Sequence, residues 1–279
     1  MADITAALVA QLREMTNAGM MDCKKALVET KGDLNAAVDL LRKKGIATAA
    51  KKASRDTKEG AIAQCVLPGA RIGVLAEVNC ETDFVAKNET FRAFCDDVAR
   101  AYATDPNADL ESIRAQLVAK TGENVKTSRY QRMEVAGHGM VAAYIHTGAK
   151  VGVLVEVGAD AEATTQNETF RQLVRDITLQ IAAANPLAIS RDQIDPAVVE
   201  KEREIAREQV KNKPPQVIEK IITGKLDKFY QTVCLLEQGF VKQNSEISVK
   251  EHIANISKQL ADQAVVRRFV RFQVGEAFA

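Results

Sequence analysis

Tryptophan is absent from this 279-residue chain, and aromatics total only 5%. That composition argues against a stacking platform for single-stranded nucleic acid. The formal net charge is +1, so no whole-molecule field draws the chain to nucleic acid or to an anionic membrane, and partners must be sought through local patches. No apolar run approaches the roughly 20 residues needed to span a bilayer, and no membrane partner is expected. The three histidines (His138, His146, His252) have no Cys or carboxylate at metal-ligand spacing and no neighbouring nucleophile signature. Neither GxxxxGK[ST] nor GxGxxG occurs, so those phosphate cradles are missing. The five cysteines (Cys23, Cys65, Cys80, Cys95, Cys234) are odd in number and lack CxxC spacing, which fits a reducing compartment. The start, MADITAALVAQLREMT, has neither the basic-then-apolar layout of a signal peptide nor an Arg-rich transit composition. These absences point to a cytoplasmic binding protein without a catalytic residue, metal site or cofactor of its own, and not to an enzyme.

What is present is a repeat. Gly73–Val78 reads GVLAEV and Gly152–Val157 reads GVLVEV; Asn88–Arg92 and Asn167–Arg171 both read NETFR. One offset of 79 (152 − 73 and 167 − 88) relates both pairs without a gap. Each copy reads as a hairpin followed by a helix: Ala61–Leu67, a turn at Pro68–Gly69, and Ile72–Asn79 in the first. The second has Met140–His146, a turn at Thr147–Gly148, and Val151–Val157. Asn88 caps a stripe of Phe91, Phe94, Cys95, Val98 and Tyr102; Asn167 caps Phe170, Leu173, Val174, Ile177 and Ile181. The fold class is α+β, with two ββα units whose antiparallel strands are covered on one face by helix.

Around this core, residues 1 to about 45 read as three short helices. Ile4, Leu8, Leu12 and Met15 form the stripe of the first, Met21, Lys25–Leu27 and Val28 fall in the second, and Asp33 caps a third carrying Leu34, Ala37, Val38 and Leu41. Gly45 stands where a C′ residue would end that helix. So small a bundle needs neighbours for full stability. Lys51, Lys52, Arg55 and Lys58 mark a partly helical basic linker. Between the copies lie a helix around Leu110–Val118 and a strand near Arg129–Val135. Pro196–Asn212 and Pro215–Tyr230, separated by Lys213-Pro214-Pro215, read as a projecting antiparallel helical hairpin. There Val198, Ile205 and Val210 are expected to oppose Val217, Ile218, Ile221, Ile222 and Phe229, with Gly224 a weak point. RRFVRFQVG then alternates like a strand returning to a sheet. The expected units are 1–54 (helical module and linker), 55–137 (first core unit), 138–186 and 232–279 (second core unit in two parts), and 187–231 (helical arm).

The copies differ most between the matched blocks, where NCETDFVAK faces GADAEATTQ. Thr82, Asp83 and Phe84 are opposed by Ala161, Glu162 and Ala163. Two readings of this loop stand side by side. In one, Phe84 is core and Asp83 a turn or cap residue. In the other, the pair is an interface anchor, because a scaffold needing an apolar group here would have kept it in both copies. Met20 and Met21 follow Thr16-Asn17-Ala18-Gly19 with Arg13 a turn or two earlier. Both are ordinary core filler by residue type, yet adjacent helical positions cannot share one narrow core, so one of them faces a partner.

The stretches LREMTNAGMMDCKKAL (Leu12–Leu27) and EVNCETDFVAK (Glu77–Lys87) resemble paired signatures of the bacterial elongation factor Ts family. The resemblance extends through KPPQVIEKIITGKLDKF and FVRFQVGE to nearly the whole chain. It implies a guanine-nucleotide exchange factor for the GTPase elongation factor Tu. The N-terminal module then resembles a ubiquitin-associated (UBA)-like three-helix domain that docks on the GTPase's nucleotide-binding domain, with Arg13, Met20 and Met21 at matching contact positions. Thr82, Asp83, Phe84 and Val85 match the segment that wedges beside the GTPase's Mg2+ site. His146 matches a family histidine facing the other GTPase domains, and the helical pair matches a coiled coil that can serve homodimerisation. Two departures are visible: family members commonly continue into a further helix where this chain stops at Ala279, and the Thr147-Gly148-Ala149 turn is slightly unusual. Two other roles stay open on residues alone. One is a general protein-interaction adaptor; the other is an RNA-binding accessory using Lys51–Lys58, which predicts strongly salt-dependent RNA affinity. No direct nucleic-acid binding is expected under the family reading.

Overall fold

GVLAEV and GVLVEV are continuous apolar runs rather than alternating ones, and such a run suits a strand covered on both faces. That is how they fold. The structure is a computed structural model and describes residues 4–16, 18–210 and 214–276. In the first copy, β1 (Glu59–Val66), β2 (Ile72–Cys80) and β3 (Val125–Glu134) form an antiparallel sheet in that order. In the second, β4 (Gly139–Ile145), β5 (Val151–Gly158) and β6 (Val265–Gln273) do the same. The central strand of each sheet carries a register shift at the same place, Glu77/Val78 and Glu156/Val157. Helices cover the outer faces: α5 (Glu89–Thr104) and α6 (Glu111–Thr121) on the first sheet, α8 (Glu168–Ala184) and α11 (Val249–Leu260) on the second. Asn88 and Asn167 cap α5 and α8 as expected, each accepting at 2.8 Å from the N–H two residues on.

The inner faces pack on each other. Ile62, Leu75 and Met133 from one sheet and Val141, Leu154 and Phe272 from the other form one buried cluster. Leu154 sits over Gly73, where an added Cβ would come within 2.9 Å of it, and Leu75 sits over Gly152 at the same separation. At the edges, the N–H of Ile62 donates to the carbonyl of Ala149 (2.7 Å) and the N–H of Val141 to that of Ala70 (2.8 Å). Each of these pairs exchanges partners under the offset of 79, so the two copies face each other across a pseudo-twofold arrangement.

The repeat is longer than the hairpin and helix expected. RYQRMEV (Arg129–Val135) and RFVRFQV (Arg268–Val274) are equivalent third strands at a second offset of 139 (268 − 129). Arg129 and Arg268 bond the buried Glu77 and Glu156 at 2.8 and 2.6 Å. A carboxylate can be buried in a sheet only with such a partner. Setting aside the short helix that follows its second strand, each copy is therefore ββααβ, and the jump from 79 to 139 is an insertion in the second copy that contains the arm.

Three expectations need correction. The third helix does not stop at Gly45: α1 (Ala6–Thr16), α2 (Met20–Glu29) and α3 (Leu34–Lys52) form the N-terminal module, and α3 runs through that glycine. Gly45 is buried facing α6, where an added Cβ would stand 3.6 Å from the carbonyl oxygen of Ala115, an ordinary contact distance. Asp33 caps α3 as expected, accepting from the N–H of Ala36 at 3.0 Å. Met15 and Val28 are exposed rather than packed; Val9, Leu12, Cys23, Ala26, Leu27 and Ala37 form the module's core. In the arm, α9 (Pro196–Val210) and α10 (Pro215–Val233) meet along Val199, Ala206 and Val210 against Ile218, Ile221, Ile222 and Leu226; Val210, Ile218, Ile221 and Ile222 are as expected, while Val199 and Ala206 replace Val198 and Ile205. Val198, Ile205 and Val217 face outward, and Phe229 packs at the arm's base with Ile194 and Cys234. Arg191 bonds Asp227 (2.9 Å) and Glu237 (2.6 Å) at that base. Lys211, Asn212 and Lys213 lie outside the described residues, as do Asp3, Asn17 and Ala279.

Two glycines should respond oppositely to substitution. Gly152→Val, placed against Ile62 and Leu75, should lower unfolding free energy by about 3 kcal/mol through overpacking. Gly224→Ala, mid-helix with nothing within 4 Å, should raise it by about 0.5–1 kcal/mol. Urea titration with unchanged m-value checks both.

Candidate partner-binding surface

The ETDFV segment begins where β2 ends and turns at once into a short helix, α4 (Asp83–Lys87). Thr82 is its N-cap, its hydroxyl accepting from the N–H of Val85 at 3.4 Å. Capping orients the four residues differently. Val85 packs against the first core and Ala86 is buried, so the helix is seated from below. Asp83 forms an ion pair with Lys87 at 2.6 Å, and that hydrogen bond holds its carboxyl below the usual carboxylate range. Phe84 points away from the protein and is 81% exposed. Burying such a ring stabilises by about 1.5–3 kcal/mol, and this chain leaves that unused. The core reading of Phe84 is excluded. The equivalent α7 (Glu162–Thr165) starts at Ala161 with no side-chain cap and presents Ala163 in place of the ring.

Arg92, the last residue of the first NETFR block, supports the element from the side. Its Nε donates to the carbonyl of Ala86 (2.6 Å) at the end of α4, and its Nη2 to the carbonyl of Gly148 (3.3 Å). Arg171 in the second copy makes the first of these bonds, to Thr165 at 3.2 Å, and spends its other end on Gln166. Only in the first copy does this arginine tie the helix to the opposite hairpin.

That hairpin carries His146. The ring is exposed, with Nδ1 3.0 Å from the Tyr144 hydroxyl. The turn beside it repeats that of the first copy: Gly148 and Ala149 have φ of 88° and 58°, against 85° and 53° at Gly69 and Ala70. Ala149 packs into the first core, so His146 is held near the α4 side through both Ala149 and Arg92. Thr82, Asp83, Phe84, Val85 and His146 thus belong to one connected region.

Arg13, Met20 and Met21 are placed on a separate unit, the N-terminal module. All three are exposed; the methionines are 60% and 62% exposed, so both and not one of them face outward. Met21 shares an open depression with Lys24, Lys25 and Val28. The module is fixed to the core by α3 on α6, by Lys52 on the carbonyl of Gly122, and by Arg55 on Glu81 at 3.4 Å. Two of the four linker cations are thereby engaged internally.

Groups suited to chemistry are scarce. Among the described residues no cluster of three or more His, Cys, Asp or Glu could hold a metal ion, and no helix is long and apolar enough to cross a membrane. Burial pushes the Cys80 thiol up to about 12, away from the reactive thiolate.

Residues 81–276 match the family model described as Elongation factor TS. The chain belongs to the elongation factor Ts family. Among its relatives, Elongation factor Ts of Symbiobacterium thermophilum is 45% identical over 285 residues, covering 99% of this chain and 93% of that protein. That of Nitratidesulfovibrio vulgaris is 43% identical over 277 residues (98% and 96%), and that of Nostoc punctiforme 40% over 295 (99% and 94%). Membership of the elongation factor Ts family makes this protein a translation elongation factor.

Because Phe84 touches so little of its own chain, Phe84→Ala should change unfolding free energy by less than about 0.5 kcal/mol. A loss several times larger in urea titration would return Phe84 to the structural residues.

Proposed function

We propose that this protein binds elongation factor Tu in its GDP form and speeds GDP release by disturbing the Mg2+ and phosphate site, after which GTP rebinds. One observation carries the reading: a large exposed aromatic, beside an ion-paired aspartate, stands on the loop after the central strand in only one of two copies of the same scaffold. Mg2+ offsets the phosphate charge of bound GDP, and a group that displaces it removes much of the nucleotide's hold. Thr82 and Val85 seat the segment, while Asp83 and Phe84 are the groups that enter the partner. Arg13, Met20 and Met21 dock the N-terminal module on the nucleotide-binding domain, and His146 contacts the remaining GTPase domains. The protein itself makes and breaks no covalent bond, needs no cofactor and works in the cytoplasm without binding nucleic acid directly.

The thermodynamics is linkage. A factor that binds the empty GTPase more tightly than the GDP complex weakens GDP by the same ratio. Mixing elongation factor Tu loaded with mant-GDP against this protein in stopped flow measures the effect. Phe84→Ala and Asp83→Ala should each lower the stimulated release rate by about tenfold, as loss of an interface anchor does. Unchanged release in both would sink the assignment.

The arm supports self-association. Val198, Ile205 and Val217 leave apolar side chains on its outer surface, where a second copy of the arm can pack. Sedimentation equilibrium should then show a dimer that Ile205→Glu dissociates; a monomer at every concentration of unmodified protein contradicts it.

A further inference from the structure

An exposed ring acts as a wedge only if its base is stiff, and one carboxylate beneath the ETDFV segment supplies that stiffness. Glu123 lies in the turn between α6 and β3. Its Oε2 accepts from the N–H groups of Glu81 and Thr82, both at 3.0 Å, and its Oε1 accepts from the Thr82 hydroxyl at 2.6 Å. Thr82 Oγ1 in turn accepts from the N–H of Val85, so the hold of Glu123 passes through a single side chain into the first turn of α4. The turn and the loop are bound reciprocally: Glu81 accepts from the N–H of Asn124 at 2.6 Å. Asn124 Nδ2 donates to the carbonyls of Ala53 (3.3 Å) and Arg55 (2.9 Å). Bonds to an ionised acceptor are about twice as strong as neutral ones.

The second copy repeats this clamp with an acid one carbon shorter. Asp262, at the offset of 139 from Glu123, accepts from the N–H groups of Asp160 (3.0 Å) and Ala161 (3.1 Å) and from the Thr164 hydroxyl. There the hydroxyl comes from inside α7 instead of its cap position, and Glu162-Ala163 follows. The same loop fixture therefore exists with and without an Asp-Phe pair to aim.

We propose that Glu123 is the positioning residue of the exchange element. It sets the direction of α4 and its exposed Phe84 before the partner arrives, so that little binding energy is spent ordering the segment. The inference rests on the exchange reading above, and Asp262 is its internal control. Glu123→Ala should lower the plateau rate of stimulated mant-GDP release by about tenfold, with half-saturating concentration moved less than about twofold. Asp262→Ala should lose similar thermal stability yet change that plateau less than about twofold. Glu123→Gln, whose amide oxygen can still accept from the two N–H groups, should recover most of the rate. If circular dichroism shows Glu123→Ala to be unfolded, Thr82→Val, lacking only the hydroxyl link, carries the test at about fivefold, the equivalent of a lost cap. Phe84→Ala measured alongside separates the two claims. A drop for Phe84→Ala with none for Glu123→Ala (or none for Thr82→Val in its place), or equal drops for Glu123→Ala and Asp262→Ala, overturns the positioning role and leaves the exchange reading standing. No drop for Phe84→Ala overturns the positioning role, and no drop for Asp83→Ala as well overturns the exchange reading with it.

Discussion

The face-to-face packing of two sheets is the constraint on which the rest of this molecule depends. Leu75 and Leu154 each fill the space above a glycine of the other sheet, which fixes the distance between the copies. Their outer faces must then be covered by helices, since each central strand is apolar on both sides. The buried Glu77 and Glu156, each held by an arginine of the third strand, add a polar condition that pins strand register. With both faces and the register committed, variation is confined to the loops at strand ends and to insertions.

That confinement explains how one scaffold, used twice, supports unlike tasks. The loop after β2 and the loop after β5 leave their sheets at the same point and are clamped by carboxylates at equivalent positions. What differs is the cargo: Asp83-Phe84 against Glu162-Ala163. The second copy instead carries the long insertion with its helical arm. An exposed phenyl ring is unfavourable in the free protein, and its presence on one copy alone is the feature on which the proposed contact rests.

Much of this was legible in the sequence because it rests on local signals. The caps at Asp33, Asn88 and Asn167 and the apolar stripes of α5 and α8 fold as read. The comparison of ETDFV with its twin set a partner-facing ring beside a core ring as equal readings, and the exposure of Phe84 in the structure decided between them. Where tertiary contact decides, the reading failed. Gly45 looks like a helix terminator, but α3 continues through it and packs on α6 beside Ala115, a neighbour 70 positions away in the chain (115 − 45). On α9 the seam was read one residue early at two positions, because Val198-Val199 and Ile205-Ala206 each offer two apolar candidates. The third strands were visible, in RYQRMEV against RFVRFQV, but only at a second offset. Glu123 and its counterpart Asp262 become a matched pair only at that second offset, and the residues between them and the strands differ.

The central claim is that Asp83 and Phe84 couple binding of this protein to loss of GDP. Its most direct measurement is calorimetric: affinity for elongation factor Tu, free of nucleotide and saturated with GDP, for the unmodified chain and for one carrying Thr82→Ala, Asp83→Glu and Phe84→Ala together. The account predicts that the unmodified protein prefers the empty GTPase by a factor on the order of 100, within the usual range of coupling between sites, and that giving the first loop the residues of the second collapses this preference toward one. A preference that survives the exchange of residues would contradict it.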